Sequence, residues 1–164
     1  FDRLYLDGCD YMIKGTAKVD KRTKNLCKRL EPGDIAVIYH QDVDEVAAET
    51  LVKDRVKAVI NADESISCRY PNEGPKILVE NGILLIDDVG EDTADKIQEG
   101  NTLNIEGEEI YSNDAYIGKG TILDEQRIDE LMARSYKSLD KELDKFIENT
   151  LEYAKREKDF FDGL

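Results

Sequence analysis

The stretch Ala58–Val89, AVINADESISCRYPNEGPKILVENGILLIDDV, decides the fold. Ala58-Val59-Ile60 and Ile83-Leu84-Leu85-Ile86 are short, uninterrupted, partly β-branched runs, the pattern of strands buried on both faces. Between them the chain has to cross over. Gly74-Pro75 marks a helix start, because proline is tolerated in a first turn, and Asn81-Gly82 marks its end. In such a unit the loop Asn61–Asn72 lies at the carboxyl end of the first strand, where open α/β sheets place their ligands.

The same pattern continues outward. Glu31-Pro32-Gly33-Asp34 is a turn feeding a strand over Ile35–Tyr39. Asp42 or Asp44 then caps a helix whose apolar positions Val43, Val46, Ala47, Thr50 and Leu51 keep helical spacing. Two successive β-α-β units with parallel strands follow. Beyond Gly90, a short helix is expected over Asp92–Gln98. A hairpin is expected to join Leu103-Asn104-Ile105 to Glu109-Ile110-Tyr111 around Glu106-Gly107-Glu108, with one more strand in Ile117–Leu123. At the other end, Phe1–Val19 carries Leu4, Leu6, Met12, Ile13 and Val19 between Gly8 and Gly15, which suggests a strand or two. Asp20–Leu30 reads as an amphipathic basic helix opened by Asp20 with a solvated face. The fold class is therefore α/β: a body over residues 1–123 with a mostly parallel sheet and a β-hairpin, then a long C-terminal helix over residues 124–164.

From Asp124 the texture changes, with neither glycine nor proline up to Phe161. Met132, Leu139, Phe146, Tyr153 and Phe160 recur every seven residues, and Ile128, Tyr136, Leu143, Ile147 and Leu151 widen the stripe. Ser135 and Glu142 interrupt a strict heptad. A homodimer formed through Leu139, Leu143, Phe146 and Leu151 is the expected use of this helix; packing along its own body and leading into a further domain is the alternative. The chain starts at Phe1 without a methionine and ends on this helix, and so reads as a portion of something longer.

Charge narrows the partners. The net charge of −14 is distributed as +4 over residues 1–30, −15 over residues 31–124 and −3 over residues 125–164. The net charge argues against a general nucleic-acid binder, which needs clustered Lys and Arg, and the acidic middle disfavours an anionic macromolecule as partner. Cys9, Cys27 and Cys68 are odd in number and widely spaced, matching neither a disulfide framework nor a CxxC site; a reducing cytoplasm is the natural compartment. Cys27, His40 and Cys68 lack the paired spacing of a metal site, and no metal or cofactor is expected. No apolar run reaches the roughly 18 residues of a membrane span, and no membrane contact is expected.

The candidate site is the loop. Asn61, Ser65, Ser67, Tyr70 and Asn72 offer neutral hydrogen-bonding groups, Arg69 is the one cation between Lys57 and Lys76, and a helix beginning at Gly74 would turn free N–H groups toward them. A cradle for a small anion is one reading. The others are a protein-binding surface, or turn and cap residues with Arg69 paired to Asp63, Glu64 or Asp87. Asp87-Asp88 at a strand end would suit Mg²⁺ or acid–base work, or would simply cap the next helix. With no Gly-rich phosphate loop and no nucleophile paired with a base, nothing in the sequence points positively to catalysis.

Three stretches together carry a resemblance: GTAKVDKRTKNLCKRLEPGDIAVIYH, INADESISCRYPNEGPKILVENGILLIDDVG and NTLEYAKREKDFF. They are similar to the N-terminal part of bacterial SteA-like proteins, a cytokinetic-ring family with a thiamin pyrophosphokinase-like domain, and SxSxRYPNxGP is the specific part. The resemblance implies a cytoplasmic role in cell division and envelope work with a division or envelope protein as partner. It places any pyrophosphokinase chemistry, and a hydrophobic C-terminal region, beyond Leu164. The order PGDIAV, helix, KAVINAD, loop, helix, ENGILLID also resembles the swivelling phosphohistidine domain of phosphoenolpyruvate-utilising enzymes. That domain's histidine would fall near Asn72 or Glu73; the single histidine, His40, ends an earlier strand, so phosphocarrier chemistry is not expected.

Overall fold

A computed structural model describes residues 3–6 and 10–163, with side chains described from Met12 onward; Phe1, Gly8, Cys9 and Leu164 lie outside the described residues. The N-terminal strands are β1 (Arg3–Leu6) and the ten-residue β2 (Asp10–Val19). The parallel core follows as β3 (Ile35–Ile38), β4 (Ala58–Asn61) and β5 (Leu84–Asp87), each buried along its whole length. These are the uninterrupted apolar runs, and full burial is what such runs require.

Between them lie α1 (Thr23–Cys27), α2 (Glu45–Lys53) and α3 (Gly74–Glu80). Asp44 caps α2 by accepting from the Ala47 N–H at 2.8 Å. Helix α1 is shorter than the basic pattern suggests and has no side-chain cap. The Asp20 carboxylate instead accepts from the Arg22 N–H and the Arg29 guanidinium, which holds residues 20–22 in a turn. Beyond β5 come α4 (Glu91–Asp95), β6 (Thr102–Glu106), β7 (Glu109–Ser112), β8 (Ala115–Lys119) and β9 (Thr121–Ile122).

The sheet order is β8-β7-β6-β2-β3-β4-β5-β9, with β1 beside β2. Strands β2 to β5 run parallel, whereas the other neighbouring pairs are antiparallel, so the antiparallel part is larger than the single hairpin expected. Strand β2 joins the two regions: Met12–Thr16 pairs with β6 and Ala17–Val19 pairs with β3. Successive side chains of the core strands point to opposite faces. On one face Ala36, Ile38, Val59 and Leu85 pack under Leu26, Leu51, Leu78, Ile128 and Met132 from the helices. On the other, Ile35, Val37, Ile60 and Ile86 pack with Ala94, Ile97, Leu103, Ile105 and Ile110.

Helix α5 (Glu125–Asp162) runs 38 residues from an Asp124 cap that accepts from the Arg127 N–H. Its first turns belong to the body, since Ile128, Met132 and Ser135 are buried; the Ser135 hydroxyl donates to the Leu131 carbonyl rather than breaking the helix. From Asp140 to Gly163 every residue is exposed. Residues 140–162 amount to about 35 Å of helix clear of the body. Among the described residues no helix is long and apolar enough to cross a membrane.

Candidate functional site

The carboxyl ends of β3, β4 and β5 converge on one buried polar cluster, and Asn61 is its centre. Asn61 closes β4 and is fully buried. Its Nδ2 donates to the His40 carbonyl and to Ser65 Oγ, both at 2.8 Å, while its Oδ1 accepts from the His40 and Asp63 N–H groups at 3.1 Å. Ser65 passes the network on, donating from its N–H and its hydroxyl to Asp87 Oδ1 at 2.9 and 2.7 Å. Asn61 thus ties the end of β3 to the loop, and Ser65 ties the loop to the end of β5. Burial pushes the Asp87 carboxyl up to about 6; the two Ser65 hydrogen bonds oppose this, and nearby Asp88 and Glu64 add to it.

Ser67 faces another way. Its N–H and hydroxyl donate to the Asp42 carboxylate at 2.7 and 2.9 Å, and the Asp42 and Val43 N–H groups donate to the Glu64 and Ser65 carbonyls. These bonds clamp the loop onto the entry to α2. The left-handed backbone at Asp42 and Cys68 lets the two segments meet back to back. Gly74 is buried against that same segment, where a Cβ would lie inside the Val43 carbonyl oxygen. The backbone of the α2 entry therefore lies directly against the start of α3. Asn72 is buried and donates to the Tyr70 carbonyl.

The structure gathers Asn61, Ser65 and Asp87 into one internal network, attaches Ser67 and Gly74 to the α2 entry, and leaves Arg69, Tyr70 and Asp88 exposed. No ion pair joins Arg69 to Asp63, Glu64 or Asp87 among the described residues, so the pairing weighed for it is not formed. Nor does any group of three or more His, Cys, Asp and Glu side chains suited to a metal come together there.

No family model and no curated protein matches the chain. One solved structure similar in outline is 3-isopropylmalate dehydratase (leuD) from Methanocaldococcus jannaschii, with a TM-score of 0.44 and 16% identity over 82% of this chain and 98% of that one. At that level it bears on neither family nor activity.

The reading of the sequence missed a cleft that adjoins this network at His40. About 460 Å³ in volume, it lies between α1 and α2 and is lined by Thr23, Lys24, Cys27, His40, Asp44, Val46, Ala47 and Thr50. At one end the buried Thr23 hydroxyl meets His40 Nδ1 at 2.9 Å, and Nε2 makes no hydrogen bond among the described residues. The Cys27 thiol is pushed up to about 11, first by burial and then by Asp54, and stays protonated at neutral pH. Thr23 and His40 are 17 residues apart with no motif between them, and only the fold of the α1 segment over β3 brings them together.

Proposed function

We propose that this chain is a non-catalytic binding and scaffolding module of a SteA-like bacterial cell-division or envelope protein, and that it self-associates through α5. The observation that carries this is the apolar stripe beyond the body: Leu143 is 48% exposed, and Phe146 and Leu151 are exposed by about two thirds. Leu139, at the edge of the body, begins the stripe half-buried. With Met132, Leu139, Phe146, Tyr153 and Phe160 as one seam, Tyr136, Leu143 and Thr150 fall four residues after the first three members, a second series that ends where Glu157 follows Tyr153. Burying a large apolar side chain from full exposure contributes roughly 1.5–3 kcal/mol, which over two such faces is of the same order as an association cost of roughly 4–15 kcal/mol.

The loop of the body supports a binding role without chemistry. Asn61, Ser65, Ser67 and Asp87 are engaged with one another or with Asp42, and this rigid base holds Arg69 and Tyr70 outward at the carboxyl end of the sheet. The acidic groups around it, Asp63, Glu64 and Asp88, favour a protein surface carrying basic residues over a phosphate. Leu143→Glu combined with Phe146→Glu is the test. The double variant keeps the circular-dichroism melting temperature of the body and becomes monomeric by light scattering; a variant that stays associated overturns the assignment of α5.

A second reading, a ligand-binding regulatory domain attached to a thiamin pyrophosphokinase-like enzyme, is favoured by one observation, the Thr23–His40 cleft. A ligand-dependent rise in melting temperature separates it from a pure scaffold, because binding to the folded state stabilises by mass action.

A further inference from the structure

We infer that the cleft between α1 and α2 binds a small organic anion with an apolar body, its head group held by His40 Nε2 and Lys24 and its body lying on Cys27, Val46, Ala47 and the Thr50 methyl. The cleft is of the size expected for a small-molecule site and combines an apolar floor with few polar groups at one end. Its polar pole is already oriented. Thr23 holds the imidazole through Nδ1, and the Asn61 side chain fixes the His40 backbone from both its N–H and its carbonyl, so Nε2 has little freedom left to lose on binding.

Charge decides the sign of the head group. The chain carries a net −14, yet Lys21, Arg22, Lys24, Lys28 and Arg29 cluster in and around α1, beside the cleft. Arg29 is taken up by Asp20 and Glu99, and Lys21 lies over the Tyr39 ring; Lys24 remains on the lining, with no ion pair among the described residues. Asp44, the one carboxylate on the lining, is engaged in capping α2. On the lining Cys27 stays a thiol and the Thr50 hydroxyl donates to the Val46 carbonyl at 2.8 Å; the Asp54 carboxylate adjoins Cys27, so the apolar body and not the anionic head group belongs at that end. This proposal concerns the body alone, so it stands or falls separately from self-association through α5.

His40 is the chain's single histidine, and its imidazole protons give one assignable pair of signals in a proton NMR spectrum. The full chain is titrated with acetate, hexanoate and inorganic phosphate. Hexanoate is expected to shift the His40 signals saturably and to bind at least tenfold more tightly than acetate, since each methylene removed from water is worth about a fourfold gain. Lys24→Glu, a surface change that leaves the core intact, should weaken hexanoate several-fold or more while leaving the melting temperature in place. Ala47→Phe, which fills the floor, should abolish the shift. No saturable shift with hexanoate overturns the proposal, as does equal binding of acetate and hexanoate, indifference to Lys24→Glu, or a response to phosphate alone.

Discussion

Asp87 is the most informative single position, because its carboxylate sits at the end of the buried network and cannot be ionised there without cost. Its folded-state value of about 6 against an ordinary 3.8 corresponds to roughly 3 kcal/mol between the two protonation states. The sign follows from proton binding. Between 3.8 and about 6 the folded chain holds a proton on Asp87 that the unfolded chain has released, so stability falls as pH rises through this interval. Below 3.8 the contribution is fully present; above about 6 it has been lost. Asp87→Asn keeps an acceptor for the Ser65 N–H and hydroxyl but has no proton to lose. Chemical denaturation of both proteins across this range should show the variant gaining on the wild type by about 3 kcal/mol from the acidic to the neutral end. Asp20 and Glu99, both held below their ordinary values by hydrogen bonds and Arg29, lose their contributions only at lower pH and cancel in the difference. A flat difference curve would show that the Asp87 carboxylate is solvated, and that the network does not close over it.

Asn61→Ala removes both ends of the bracket on His40 and should destabilise the fold by at least about 2 kcal/mol, read as a lower denaturation midpoint with an unchanged slope. Gly74→Ala forces α3 away from the Val43 carbonyl and should cost about 3 kcal/mol or more, whereas Gly107→Ala, with open space around it, should cost only the strain of its positive φ, on the order of 1 kcal/mol. Arg69→Ala should leave the melting temperature nearly unchanged and, under the proposed division role, impair division in cells that depend on the protein; a large loss of stability would make Arg69 a structural residue instead.

The parallel core was legible because full burial leaves a plain trace: Ile35–Ile38, Ala58–Ile60 and Leu84–Ile86 are unbroken apolar runs punctuated by Pro32-Gly33, Gly74-Pro75 and Asn81-Gly82. The reach of α5 was legible from the same kind of signal, a capping Asp124 and a run free of glycine and proline. Helix α1 came out short because a carboxylate reads alike whether it caps a helix or, as Asp20 does, ties down a turn with Arg29. The antiparallel region was under-read because β8 carries an irregular register opposite Ile110/Tyr111 and little burial along its length, so its alternation is weak. In the loop, residue type alone does not tell whether Asn61 and Ser65 face outward to a ligand or inward to Asp87. That depends on which strand ends lie side by side, which is a property of the sheet order. Thr23 and His40 were invisible as a pair for the same reason.

Self-association through α5 is decided by sedimentation equilibrium of the full chain. A dimer held by α5 has a mass of twice the 18.6 kDa chain that falls toward a single chain on dilution. A mass of one chain throughout, up to high protein concentration, would contradict it and would mean that Leu143, Phe146 and Leu151 are covered by something other than a second copy.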